Sequence, residues 1–163
     1  MSLEIHRTKF FLVDRETLFN YFTRPELLEK WASPDERMSV QIPLFEARTG
    51  GKYRFEHKGS EGKYICTGTI LEFIPNEKIV QCDELITGPK GETLFRELET
   101  RLELIPKLGG TELRFIQNGF ENEKGRDECE KGWEYSLDKL ANIVNGEERH
   151  PDDELKTEQR TQV

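Results

Sequence analysis

The sequence has few of the residues from which metal and catalytic centres are usually built. Its 163 residues include only 3 histidines and 3 cysteines, which are His6, His57, His150, Cys66, Cys82 and Cys129. No two cysteines form a C-x-x-C pair, and no group of histidines, cysteines and acids has the spacing of metal ligands. We therefore expect reduced, partly buried thiols, no metal and no cofactor.

An excess of positive charge and long apolar runs are also missing. The net charge is -8, whereas a nucleic-acid binder needs a basic face, so no nucleic-acid partner is expected. No apolar run approaches the ~20 residues that span a bilayer, and Met1–Arg7 lacks the apolar segment of a signal peptide. The sequence thus predicts a cytoplasmic protein without a membrane partner.

Aromatic residues are present in sufficient number to build a core. The chain has 10 Phe, 4 Tyr and 2 Trp, and its length suits a single domain. We predict that this domain occupies residues 1–146. The acidic segment 147–163 has few aliphatic side chains, so it cannot bury enough surface to offset the entropy of ordering and is predicted to be a disordered tail.

Two short helices are predicted after a first strand at Leu3–Val13. Asp14 suits an N-cap because its side-chain oxygen can accept a hydrogen bond from the first helical turn, and apolar residues follow over Leu18–Phe22 at helical spacing. The pattern then restarts, with Thr23 as the predicted cap of the second helix and Pro25 in its first turn.

The middle of the chain has the pattern of an antiparallel meander. Turn signals recur at intervals of roughly ten to fifteen residues and separate stretches with the alternation of a strand. The predicted strands are Met38–Ile42, the stretch that follows Gly50-Gly51, Tyr64–Ile74, Lys78–Ile86, Thr93–Ile105 and Thr111–Phe120.

A long C-terminal helix is predicted from about Asn122 to a stop at Asn145-Gly146. One stripe of small and apolar residues recurs at helical spacing, namely Cys129, Gly132, Trp133, Ser136, Leu137, Leu140, Ile143 and Val144. We expect the C-terminal turns, Leu137–Val144, to be ordinary core. In the N-terminal half, small Gly132 beside large Trp133 favours a space for a ligand.

This order of elements resembles the helix-grip fold, also called the START-like or Bet v 1-like fold (SRPBCC superfamily). Within it, the residues resemble bacterial members of the activator of heat-shock protein 90 ATPase homologue family. The similar segments are Leu18-x-x-Tyr-x-x-Arg-x-x-Leu-x-x-x-Trp31, Gly51-x-Tyr-x-Phe55, Gly68-Thr-Ile-Leu-Glu-Phe-Ile-Pro75 and Gly132-Trp133-x-x-x-Leu-x-x-Leu140. The resemblance implies an α+β domain in which a curved antiparallel sheet of about six to seven strands wraps round the long helix.

Polar residues on apolar strand faces are candidates for ligand contacts. Arg96, Gln117 and His57 each fall on such a face and would enter the space beneath Trp133 if the faces point toward the long helix. For Arg96, the alternatives are an ion pair with an acid such as Asp83 or Glu84, or a side chain that extends from a sheet edge into solvent. The predicted ligand-binding residues are Trp31, Phe55, His57, Arg96, Gln117, Cys129, Trp133 and Ser136.

No set of residues indicates a catalytic site. Cys129 lies near the start of the long helix, where the helix dipole would lower the pKa of its thiol. The alternative is a buried, inert thiol. A glycine-rich phosphate loop is absent from the sequence as well.

Three functions remain open. The first is a protein that encloses a small hydrophobic, aromatic or lipid-like molecule between sheet and long helix. The resemblance implies the second, a protein-interaction module that acts with a chaperone in the stress response, because eukaryotic members of the family stimulate a chaperone's ATPase. The third is a cyclase-like or hydrolase-like enzyme in which Arg96 polarises the substrate. A monomer and a homodimer are both compatible with the sequence.

Overall fold

The computed structural model describes residues 3–147. The segment predicted to be a disordered tail lies outside the described residues from residue 148 onward. The elements are β1 (Ile5–Phe11), α1 (Arg15–Thr23), α2 (Pro25–Leu28), β2 (Ser39–Phe45), β3 (Lys52–Gly59), β4 (Gly62–Ile74), β5 (Lys78–Thr87), β6 (Thr93–Lys107), β7 (Gly110–Asn118) and α3 (Glu123–Glu147).

All strands belong to one antiparallel sheet with the order β1-β7-β6-β5-β4-β3-β2. Strands β2 to β7 follow one another as a meander, and β1 joins the sheet beside the last strand, with Ile5 opposite Gln117. The long helix α3 packs against the sheet. This α+β arrangement, with two short helices after the first strand, confirms the predicted helix-grip fold.

The two short helices start differently. The Asp14 side chain caps α1 as predicted, because it accepts a hydrogen bond of 2.8 Å from the backbone N–H of Thr17. The predicted cap of α2 is wrong: Arg24 is its N-cap, and Thr23 is still the last residue of α1. There the Thr23 hydroxyl donates to the carbonyl of Phe19 at 3.0 Å. Pro25 begins α2, as its fixed φ allows.

The C-terminal half of α3 belongs to the core. Leu140 and Val144 have no exposed surface, and Leu137 is 3% exposed. Asn145 and Gly146 do not end the helix, which continues to Glu147. Instead, the Asn145 side chain accepts a hydrogen bond of 2.9 Å from the backbone N–H of Leu12 and so ties the helix to the end of β1.

No helix within residues 3–147 combines the length and the apolar character needed to cross a bilayer.

Candidate functional site

A pocket of about 380 Å³ lies between the inner face of the sheet and the N-terminal half of α3. Its walls come from the end of α1, from α2 and the segment that follows it, from β2 to β7 and from α3. Pro34, Leu94 and Glu128 are exposed and mark the side that faces solvent. The buried core residues of the C-terminal half, including Leu140 and Val144, do not line the pocket.

The structure brings most of the predicted site residues together. Those in the pocket wall are Trp31, Phe55, His57, Gln117, Cys129, Trp133 and Ser136. They come from three parts of the fold, which are the segment after α2, the sheet and α3. Sequence reasoning therefore placed these side chains in one region, although it gave no account of how they are held.

Arg96 is the exception, and its predicted placement is wrong. Its side chain is exposed and does not line this pocket; it lines a second, more polar pocket of about 370 Å³ beside the start of α3. The reason is a break in the alternation of β6, because Glu97 has a φ of 50°. Phe95 and Leu98, three positions apart, therefore both face the main pocket, and Arg96 between them does not.

The main polar feature of the wall is a hydrogen bond between Tyr53 and Asp83, which the sequence reasoning missed. The Tyr53 hydroxyl donates to Asp83 Oδ1 at 2.6 Å, and Asp83 is only 7% exposed. Gly68 lies between them in the sheet, paired with Tyr53 on one side and Asp83 on the other. A Cβ at Gly68 would collide with the Tyr53 hydroxyl and with the carbonyl of Cys82. The absence of a side chain at Gly68 thus leaves room for the Tyr53 ring.

The surroundings of Asp83 favour its neutral form. Burial raises the pKa of this carboxyl above its ordinary value, although hydrogen bonds from Tyr53, Cys66 and Gln81 act in the opposite direction. Burial also raises the pKa of the Cys66 thiol well above its ordinary value, and the neighbouring carboxyl of Asp83 adds to this effect. The Cys66 thiol and the Asp83 carboxyl therefore both lose their protons less readily than they would in water.

His57 is a neutral side chain in the same wall. Burial lowers the pKa of its imidazole to about 4, so the ring is uncharged at pH 7. The ring stacks on Phe55 with a centroid distance of 6.3 Å. Its Nδ1 atom is buried and has no hydrogen-bond partner among residues 3–147. An unpaired polar atom of this kind is costly unless a ligand or water meets it.

Two consecutive hydrogen bonds hold the Trp133 indole in the pocket wall. Trp133 Nε1–H donates to Gln117 Oε1 at 3.1 Å, and Gln117 Nε2 donates to the Thr100 hydroxyl at 3.0 Å. The Trp133 ring packs on Phe115 with a centroid distance of 4.5 Å. The side-chain amide of Gln117 therefore uses both its oxygen and its nitrogen in hydrogen bonds that orient the Trp133 indole.

The segment after α2 holds the same part of α3 from the other side. The Ser136 hydroxyl donates to the carbonyl of Ser33 at 2.9 Å. One turn earlier, a Cβ at Gly132 would lie 3.1 Å from the side chain of Pro34. The glycine thus allows close contact with this segment, and together with Trp133 it lines the pocket in the half of the helix where the sequence predicted a space.

Cys129 is a half-buried, weakly acidic thiol. Burial raises its pKa to about 12, with smaller contributions from the negative charges of Asp83 and Glu128. The predicted lowering by the helix dipole is wrong, because α3 begins at Glu123 and Cys129 lies beyond the first turn, where the dipole acts.

Among residues 3–147, no Lys or Arg lines the pocket, and the acids that line it are Asp83 and Glu128. Within the described residues, no group of three or more His, Cys, Asp or Glu side chains could hold a metal ion. The geometry therefore offers a largely apolar container with a few hydrogen-bonding groups in its wall.

The family model for Activator of Hsp90 ATPase homolog 1-like protein matches residues 13–145. The chain belongs to this family. The match covers both short helices, the sheet from β2 onward and almost all of α3, and it confirms the predicted resemblance.

Solved structures of other proteins share this fold. A protein from Chromobacterium violaceum is 27% identical, with a TM-score of 0.76 over 87% of this chain and 97% of that chain. The AHSA1 protein from Silicibacter pomeroyi is 22% identical, with a TM-score of 0.76 over 88% of this chain and 99% of the other. A protein from Staphylococcus epidermidis is 21% identical, with a TM-score of 0.75 over 92% and 94% of the two chains. Among curated proteins, none matches the sequence.

Proposed function

We propose that this chain binds a small, largely apolar molecule in the pocket between the sheet and the N-terminal half of α3. The observation that carries the proposal is the pocket itself, whose volume of about 380 Å³ falls in the range of small-molecule sites. The family and the fold support a ligand-binding or co-chaperone-type module. The pocket is the observation that favours the first of these over the second.

The lining has the composition expected of such a site. Aromatic side chains from the sheet, the α2 segment and α3 surround the space, including Phe55, Phe95, Trp31 and Trp133. Aromatic rings offer large, flat apolar surfaces at a low cost in side-chain entropy. The hydrogen-bonding groups of Tyr53, Asp83 and His57 occur in the same wall, where a few polar atoms can orient a ligand.

Filling the pocket tests this proposal. Cys129→Phe adds a ring to a side chain that lines the pocket, so it should exclude a ligand while leaving the core half of α3 intact. Thermal unfolding would be followed with isopropylnaphthalene and with methyl naphthyl ketone. A ligand at 100 times its Kd adds about 2.7 kcal/mol to the free energy of unfolding. The wild type should therefore gain several degrees in Tm, and Cys129→Phe should gain none.

The matched control is Asn142→Phe, which adds the same ring to the exposed face of the same helix. It should retain the wild-type gain in Tm. The proposal fails if neither compound stabilises the wild type, or if Cys129→Phe is stabilised as strongly as the control.

Chaperone interaction is the second candidate, and the family match favours it. It predicts that the purified chain raises the ATPase rate of Hsp90 from the same organism. If the rate rises equally with the wild type and with Cys129→Phe, the interaction does not require the pocket. A rate that the chain leaves unchanged would remove this candidate.

A further inference from the structure

We infer that the main pocket and the second, polar pocket beside the start of α3 form one elongated site for an amphipathic carboxylate. The apolar body of this ligand fills the main pocket, and its carboxylate binds Arg96 in the polar pocket. This inference rests on the proposed function, because it assigns the polar end of a ligand whose apolar end occupies the main pocket.

The two pockets adjoin and share part of their walls. Leu94, Phe95, Leu98 and Glu128 line both of them, and their volumes are similar, at about 380 and about 370 Å³. Leu94 is 42% exposed in this shared wall, so an apolar chain that passes from one pocket to the other would cover it. A ligand that spans both pockets is thereby in contact with apolar side chains along its length.

The irregularity of β6 at Glu97 places a cation next to the shared wall. Phe95 and Leu98 line both pockets, whereas Arg96 between them lines the polar pocket alone. Gly125 brings the start of α3 to the same place, because a Cβ at this position would lie 3.0 Å from the Phe95 ring. One strand therefore supplies the apolar junction and the positive charge beside it.

Arg96 is available to a ligand. Its side chain is exposed and forms no ion pair or hydrogen bond with another residue in the range 3–147. Arg101, five residues further along the same strand, pairs instead with Glu103 at 3.6 Å. The planar guanidinium of arginine can donate two parallel hydrogen bonds to a carboxylate, which makes this head group the best match for Arg96.

The remaining charges of the polar pocket favour an anion over a cation. Lys124 adds a second positive charge, while Glu121 and Glu128 supply two negative charges. The start of α3 also lies here, where the Asn122 side chain accepts a hydrogen bond of 2.9 Å from the backbone N–H of Gly125. Since the positive end of the helix dipole lies at this terminus, it shifts the balance toward a negatively charged head group.

The experiment compares three compounds that differ only in their head group. They are naphthylbutyrate, naphthylbutyramide and naphthylbutylamine, and binding to the whole chain is measured by calorimetry at pH 7.5 and constant ionic strength. The carboxylate should bind about three- to tenfold tighter than the amide, as expected for a bidentate ion pair in a partly exposed pocket. The amine should bind more weakly than the carboxylate.

Substitutions of Arg96 assign the head group to this residue. Arg96→Gln should remove the advantage of the carboxylate over the amide, and Arg96→Glu should make the amine bind more tightly than the carboxylate. Arg101→Gln and Arg101→Glu are matched controls, because they carry the same changes of charge on the same strand outside both pockets and should retain the wild-type order. Circular dichroism establishes that each variant is folded.

Filling the main pocket tests whether the ligand spans both. Cys129→Phe should weaken the binding of all three compounds, because their common ring can no longer enter. If this variant still binds the carboxylate as tightly as the wild type does, the head group binds by itself in the polar pocket and the elongated site is refuted.

The outcomes separate this inference from the proposed function. If the amide binds to the wild type and is lost in Cys129→Phe, but the carboxylate binds no tighter than the amide or the amine, the apolar pocket stands and the elongated site is refuted. A carboxylate advantage that survives Arg96→Gln also refutes the role of Arg96. If none of the three compounds binds, the proposed function and this inference fall together.

Discussion

The Tyr53–Asp83 hydrogen bond is the residue-scale feature with the clearest energetic consequence. Tyr53→Phe keeps the ring but removes the donor, so it leaves one bond of a buried carboxyl unmade. The free energy of unfolding should fall by about 1–3 kcal/mol. Urea denaturation measures this loss. Tyr135→Phe, at a half-buried position on α3, is the control and should change stability little. Equal losses in the two variants would contradict the account.

His57 makes stability depend on pH. Its imidazole has a pKa of about 4 in the folded protein and 6.5 as its ordinary value, so the unfolded chain takes up a proton between these values while the folded protein does not. Stability must therefore fall as the pH falls from 6.5 toward 4, by up to about 3 kcal/mol. His57→Phe keeps the stack on Phe55 and cannot be protonated.

Comparing the wild type with His57→Phe isolates the contribution of the His57 imidazole to the pH dependence of stability. Asp83 has a raised pKa and makes stability fall as pH rises, which is the opposite sign, but it does so in both proteins. The groups that face it are also shared, namely Tyr53, Cys66, Cys82 and Cys129. Urea denaturation between pH 6.5 and pH 4 should show a smaller loss of unfolding free energy for His57→Phe than for the wild type. Parallel curves would show that the imidazole is not buried as described.

At the scale of elements, α3 divides into a core half and a pocket half. Leu140 is fully buried in the core half, so Leu140→Ala should cost about 2–5 kcal/mol of unfolding free energy. Cys129 already faces empty volume, and Cys129→Ala should cost about 1 kcal/mol or less. Chemical denaturation compares the two directly. A loss at Cys129 equal to that at Leu140 would mean that the N-terminal half is packed as tightly as the rest.

The strands show how far sequence reasoning reaches. Hydrophobic alternation and turn residues predicted every strand, because both follow from local geometry. Alternation failed at Arg96, because the strand is irregular at Glu97, which has a positive φ, and Phe95 and Leu98 line the pocket while Arg96 does not. An outlier of that kind at a glutamate has no signature in the sequence.

The Tyr53–Asp83 pair was missed for a different reason. Its residues lie 30 positions apart and meet across Gly68 on the strand between them. The signal in the sequence was that Asp83 falls on the same face of its strand as Ile79 and Gln81. In the sheet its partner on the neighbouring strand is Gly68. Reading it requires the register of three strands, which tertiary pairing decides.

At the scale of the molecule, contacts on both sides of α3 hold it over the sheet. On one side Arg7 and Lys9 of β1 form ion pairs with Glu134 and Asp138, and on the other Ser136 bonds to the segment after α2. These contacts place the pocket half of the helix across a curved sheet without filling the space beneath it. The fold thereby supplies a container whose chemistry depends on a few wall residues.

The most direct test of that container uses its tryptophans. The chain has 2 Trp, and both Trp31 and Trp133 line the pocket. Two indole N–H signals should therefore appear in a ¹H–¹⁵N NMR spectrum, and saturation with methyl naphthyl ketone should shift both. The amide of Leu108, fully exposed in the turn between β6 and β7, should stay unchanged. Indole signals that do not move at saturating ligand would contradict the account.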